Sequence, residues 1–170
     1  MENILNNFIL AVNYAAMDEL DRKIIQLLQS DGERPLAALG RAVGLSVSAV
    51  NERVKKLKSS GALIAIQARI NPEALGLDIL AFIHVLMDKP AGEGEFIRRM
   101  REMPEVLECH HITGDYSYLL KLRARNPAHL EQIIGRRIKA IAGVARTHSV
   151  IALSTAKETS TLDSRAPSDA

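Results

Sequence analysis

Between residues 36 and 58 the chain reads LAALGRAVGLSVSAVNERVKKLK, and few folds accept such a stretch. Leu36, Leu39 and Val43 recur at helical spacing, and Gly44 then breaks the run. Leu45 reads as a buried plug, and Ser46 as the N-cap of a second helix. In that second helix Val47, Val50, Val54 and Leu57 share one face. At 100° per residue the opposite face is centred on Glu52 and flanked by Ser48, Ala49, Lys55 and Lys56. A short helix, a glycine turn and a second helix with an open polar face form the helix-turn-helix arrangement that enters a DNA major groove. A surface helix with solvated lysines would account for the charge, but not for the turn or the two matched apolar faces.

Charge distribution points the same way. The chain of 170 residues carries a formal net charge of +2, too little for wholesale nucleic-acid binding. Within residues 36–69, however, Arg41, Arg53, Lys55, Lys56, Lys58 and Arg69 face only Glu52, a net of +5, which leaves −3 for the remainder. Positive charge gathered on one module is the electrostatic footprint of a DNA reader.

Other features narrow the setting. A hydrophobic fraction of 47% with 25% charged residues describes a globular protein with a real core. The single Cys109 excludes an intrachain disulfide and any multi-cysteine metal site, and fits a reducing cytoplasm. No run approaches the roughly 20 apolar residues that span a bilayer, so no membrane partner is expected. The opening MENILNNFILAVNYAA has the apolar look of a short targeting segment, but Glu2 stands where a signal peptide wants a base. A loose amphipathic arm, or an upstream start with Met17 as the working one, is the simpler reading.

The rest of the chain resolves into two modules. A first helix is expected from about Asp18 to Gln29, with Leu20, Ile24, Leu27 and Leu28 as its stripe and Asp18, Glu19 and Asp21 at its positive end. Asp31-Gly32 stops it, and Pro35 opens the helix-turn-helix pair. After Gly61, ALIAIQARI (62–70) reads as a strand or wing, and residues 71–78 as a linker. The second half gives strands at 79–87, 106–113, 118–124 and 144–153, with helices over 92–103 and from Asn126-Pro127 to Gly143. The order β-α-β-β-α-β specifies a ferredoxin-like sandwich with both helices on one sheet face. In the first of these strands both faces are apolar, so the bare sheet face should find a partner, most simply a second copy. The expected class is therefore α+β, with an extension (1–16), a winged-helix-like DNA-binding domain (17–70), a linker (71–78), a ferredoxin-like effector and oligomerisation domain (79–156) and a polar tail (157–170) whose end should be disordered.

Taken in order, MDELDRKIIQLLQSDGE, LAALGRAVGLSVSAVNERVKKLKSSGALI, PEALG, PEVLECHHITGDYSYLL and GVARTHSVIALSTAKET resemble the Lrp/AsnC, or feast/famine, family of transcription regulators over about residues 17–162. The resemblance implies a DNA-binding head and a C-terminal domain that dimerises through its sheets and often assembles further, into octamers or arrays. It also implies a small effector, most often an amino acid, bound near a loop with a G-x-x-D-Y signature. That loop maps to Thr113, Gly114, Asp115, Tyr116, Ser117 and Tyr118, with Ser117 where the family usually has aspartate. A serine neither pairs with an amine nor holds a turn as strongly as a carboxylate, which weakens the case for amino-acid sensing.

The expected function is sequence-specific regulation of transcription by a homodimer or octamer on an imperfect palindrome in double-stranded DNA. Arg53, Lys55, Lys56 and Lys58 are the phosphate candidates. Ser48, Ala49, Asn51 and Glu52 are the base-edge candidates, beside the cap Ser46. An architectural DNA-wrapping protein without effector is an alternative, and a haem-pathway decarboxylase-like enzyme, kept alive by His110, His111 and His148, is a weaker one. No catalytic residue, cofactor or metal is assigned. The set Cys109, His110, His111, His84 and His148 invites a metal reading, but adjacent strand residues point to opposite faces.

Overall fold

The computed structural model describes residues 17–88 and 90–164. The expectations for residues 1–16 and for the end of the tail lie outside the described residues. The chain divides into two compact units, one built from residues up to Arg69 together with those from Thr159 onward, the other from Ile70–Glu158.

Three helices make the first unit: α1 (Glu19–Ser30), α2 (Leu36–Val43) and α3 (Val47–Ser59). Asp18 caps α1, its carboxylate accepting from the Asp21 N–H at 2.8 Å. Ile24, Leu28, Leu39, Val50, Val54 and Leu57 are the buried core where the three stripes meet. The strand or wing expected over 62–70 is not present, and these residues carry no regular structure. Ile64, Ile66 and Ile70 are exposed, at 94%, 44% and 57%. A strand exists only where its N–H and C=O groups find a neighbouring strand, and among the described residues the segment has none.

The second unit holds β1 (Ile79–Met87), α4 (Glu93–Glu102), β2 (Val106–His111), β3 (Tyr118–Ala124), α5 (Pro127–Gln132) and β4 (Val144–Ile151). Its four strands are antiparallel in the order β2-β3-β1-β4, the split βαβ topology. Ala81, Ile83, Val85 and Met87 of β1 and Tyr118, Leu120, Leu122 and Ala124 of β3 are buried with Phe96, Met100, Leu130, Ile133 and Ile138 from the helical layer. On the other face of β1, Phe82, His84 and Leu86 are half-buried.

The second helix is not uniform. After Gln132 the chain passes into a π-helical turn at Ile133–Ile138, and the Lys139 N–H reaches back five residues to the Ile134 carbonyl at 2.9 Å. Ile133 and Ile138 are both fully buried. An α-helix turns residues five apart well away from each other, whereas the wider π turn brings both onto the sheet.

Candidate nucleic-acid interface and loop site

The turn between α2 and α3 fixes how α3 is presented. Gly44 takes a left-handed conformation (φ 71°), and the Leu45 N–H donates to the Gly40 carbonyl at 2.9 Å. Gly40 is fully enclosed, and a Cβ placed there would lie 2.6 Å from the Leu45 carbonyl oxygen, so only glycine allows this approach. Ser46 then caps α3, its Oγ accepting from the Ala49 N–H at 3.2 Å and lying 3.1 Å from the Ser48 Oγ.

Val50, Val54 and Leu57 anchor α3 in the core. Val47 does not join them: it sits in the first turn of α3 and is 49% exposed. Ser46, Val47, Ser48, Glu52, Lys55, Lys56 and Lys58 form an open surface, with Ala49 and Asn51 half-buried at its edge. Lys55 meets Glu52 at 2.9 Å, but both side chains are more than 60% exposed, so water competes for the pair and a phosphate can take the ammonium instead. Lys56 and Lys58 have no ion-pair partner among the described residues.

Arg53 departs from the expectation that it serves phosphate. Its Nη1 lies 2.7 Å from the Asp18 carboxylate and 2.7 Å from that of Asp21, so its guanidinium ties α3 to the start of α1. The hydrogen bonds it donates to Asp21 and then to Asp18 hold the guanidinium firmly in its charged form. The Asp18 carboxyl is held below the usual aspartate range by the Asp21 N–H first and Arg53 second. Asp21 is 3% exposed. Sequence reasoning placed it only at a helix end, yet it shares the spacing i, i+3, i+7 with Ile24 and Leu28. A carboxylate inside an apolar stripe was the signal that a cationic partner must be near.

In the second unit the loop after β2 closes on itself, the Ile112 N–H donating to the Ser117 carbonyl at 3.0 Å, with Gly114 at φ 108°. Thr113, Gly114 and Asp115 are exposed. The Ser117 hydroxyl is already engaged: it accepts from the Met87 N–H at 3.1 Å where the register of β1 against β4 shifts, while the Ser117 N–H donates to the Val85 carbonyl at 2.9 Å. Ser117 therefore closes the end of a strand. Tyr118 is a correction to the expected loop set, because it is 3% exposed, packs on Phe96 at 4.9 Å and stacks on His111 at 5.0 Å. Its ring belongs to the core.

Tyr116 instead lies among His84 (5.3 Å), His148 (6.4 Å) and the Arg146 guanidinium, 5.0 Å over its ring. Arg146 was not anticipated from the sequence. His84 and His148 face each other across β1 and β4, with ring centres 5.8 Å apart. His110 pairs with Glu108 at 3.1 Å while His111 stacks on Tyr118, so the two neighbours do diverge. Among the described residues no group of three or more His, Cys, Asp or Glu side chains is gathered as for a metal ion, and no helix is long and apolar enough to cross a membrane.

Comparison with known proteins agrees with both halves of this geometry. Residues 17–58 match the AsnC-type helix-turn-helix domain, and residues 80–162 the Lrp/AsnC ligand binding domain. The chain is 40% identical over 146 residues to the HTH-type transcriptional regulator FL11 of Pyrococcus horikoshii, covering 86% of this chain and 95% of that protein. Among solved structures, a transcriptional regulator of Neisseria meningitidis in complex with L-Met superposes with a TM-score of 0.81 at 30% identity, covering 86% of this chain and 96% of the other. The feast or famine regulatory protein of M. tuberculosis complexed with L-methionine gives 0.80 at 36% identity, over 86% and 99%. The two domain models match one after the other in this chain, the relatives are covered along nearly their whole length, and the chain belongs to the Lrp/AsnC family of transcriptional regulators.

Proposed function

We propose that this chain regulates transcription as a non-catalytic cytoplasmic homodimer or larger assembly, placing α3 of two copies in successive major grooves of an imperfect palindrome. The observation that carries the reading is the open surface of α3 opposite buried Val50, Val54 and Leu57. Ser46, Ser48, Ala49, Asn51 and Glu52 lie where base edges would be read, and Asn and Glu suit adenine and cytosine respectively. Lys55, Lys56 and Lys58 supply phosphate contacts, which set affinity and salt dependence rather than sequence choice. Arg53 serves this surface indirectly, by holding α3 on α1.

Self-association through the sheet face that the helices leave bare would cover Phe82, Leu86 and Leu119, half-buried in the single chain, and Val150, 43% exposed. The L-methionine complexes of two relatives support an amino-acid-like effector at the loop of Thr113, Gly114, Asp115 and Tyr116. Ser117 and Tyr118 support that loop from beneath, so a carboxylate for an effector's amine would have to come from Asp115.

Fluorescence anisotropy of the full chain on DNA from upstream of its own gene, against scrambled DNA, tests the reading. Preference for the first sequence, shifted by a pooled amino-acid mixture, is the expected result. Equal binding to both would favour an architectural role, and no binding at low salt would remove the recognition surface.

A further inference from the structure

The register of β1 against β4 gathers polar side chains on the sheet face opposite the helices. His84 stands across from His148 and Leu86 across from Arg146, and directly paired residues share a face. The Tyr116 ring reaches the same place from the loop before β3, 5.3 Å from His84 and 6.4 Å from His148, with the Arg146 guanidinium 5.0 Å over it. The His84 and His148 rings are 5.8 Å apart, so side chains from β1, β4 and the loop converge within the span of one small molecule. Because β4 is an edge strand and Arg146 and His148 are exposed, the cluster is open from the sheet edge.

Its chemistry is one-sided. A guanidinium, two imidazoles and a phenol supply N–H and O–H donors and a fixed positive charge, and no carboxylate pairs with any of them among the described residues. On β3 of the same sheet the cations are matched: Lys121 and Arg123 both reach Glu158, and Lys121 also meets Glu108 at 3.1 Å. The Nδ1 of His84 is buried without a hydrogen-bond partner, which marks an acceptor that the chain itself does not provide. The charge of Arg146 argues against a metal cation here. It argues equally against an ammonium group, which would meet a like charge and no acid.

We propose that Arg146, His84, His148 and Tyr116 form a binding site for a small carboxylic acid that lacks an amine, an α-keto acid being the fullest match. The carboxylate suits the planar fork of Arg146, and the neighbouring keto oxygen is a further acceptor for an imidazole or for the Tyr116 hydroxyl. Leu86 and Leu119, half-buried opposite Arg146 and His84, give a short apolar chain a place to lie. The site does not rest on the amino-acid effector reading, with which it shares only Tyr116. Thr113, Gly114 and Asp115 make no contact in it.

Side-chain NMR of the full chain tests it, with L-methionine and the α-keto acid of the same side chain as probes, since the two differ only in the amine and the keto group. The keto acid should shift the His84 and His148 ring signals and the Arg146 Nε–H saturably, and L-methionine at the same concentration should leave them in place. Arg146→Ala should weaken the keto acid about tenfold or more, and Arg146→Lys should restore only part of the loss. His148→Gln, at a second exposed position, should weaken it as well. No shift by the keto acid overturns the proposal, and so does undiminished binding in both Arg146→Ala and His148→Gln. Equal shifts by L-methionine overturn the selection against an amine, and equal shifts by inorganic phosphate show an adventitious ion only. L-methionine that moves the amides of Thr113, Gly114 and Asp115 but neither ring supports two separate ligands. If it moves nothing while the keto acid binds, the amino-acid effector reading fails and this site stands.

Discussion

Replacing Arg53 by methionine separates two roles that the sequence leaves merged. As a phosphate contact, Arg53 would contribute to DNA affinity and nothing to the free head. As a tie between α3 and α1, it contributes to the free head whether or not DNA is present. The geometry sets the size of the second effect. The Asp21 side chain is 4% exposed and the Arg53 side chain 29%, so water reaches the guanidinium but not the carboxylate it neutralises. Breaking a fully buried pair costs about 3–5 kcal/mol, because a lone charge is left behind. An exposed pair is worth about 0.2–1 kcal/mol. This pair lies between those limits, which puts the loss for Arg53→Met at about 2 kcal/mol. For a three-helix unit of this size that is a fall of about 8–16 °C in its melting temperature.

The assay is hydrogen exchange of the α1 and α3 amides, which reports the head without interference from the sheet unit. Asp21→Asn and the double variant complete a cycle, and the double variant should be less destabilised than the sum of the singles by about 1 kcal/mol or more. Acid gives an independent check. Asp18 has a lowered folded pKa, so its contribution is present above the ordinary aspartate value and is lost as pH falls through the folded one. The head should therefore weaken below about pH 4, and less steeply so in Arg53→Met. Unchanged protection of α1 in Arg53→Met, together with a shallower salt dependence on DNA, would refute the argument and return Arg53 to the phosphate set.

Gly40→Ala drives a Cβ to 2.6 Å from the Leu45 carbonyl and should destabilise the head by about 1–3 kcal/mol in the same exchange assay, with Ala38→Gly as a control for helix propensity. Lys56→Ala should weaken binding to all duplexes alike and lower the slope of log K against log salt by about 0.9, whereas Asn51→Ala should alter which sequence is preferred at constant slope. Ser117→Ala leaves the Met87 N–H without its acceptor and should cost the sheet unit about 1 kcal/mol, seen as faster exchange of that amide. The Glu95 carboxyl is held down at about 2 by hydrogen bonds from Arg98 and then Arg99, so the α4 surface network should persist in NMR carboxyl titrations well below pH 4 and be lost only as pH falls toward that value.

What was legible in the sequence and what was not divide along a physical line. The continuous apolar run ILAFIHVLM and the run YLLKLRA gave β1 and β3 their observed bounds, because each is of strand length and apolar enough to need a sheet to bury it. The Gly44 turn and the Ser46 cap were equally readable, since each is decided within five residues. ALIAIQARI has the same composition as a strand and is none, because strand formation depends on a neighbour that composition does not supply. The π turn escaped because two isoleucines five apart look like one helix drifting off its stripe. The polar contact that holds α3 in place lay furthest from view: Arg53 to Asp21 spans 32 residues. An apolar side chain advertises burial by its chemistry wherever it stands, but a polar one is indistinguishable from a solvated one until its partner is known. Hence the basic count over residues 36–69 fell on the helix-turn-helix domain yet gave no sign that Arg53 pairs with Asp18 and Asp21. Of the cations proposed on α3 for phosphate, it was the one already neutralised by buried acid, and the signal was Asp21 on the apolar stripe of another helix.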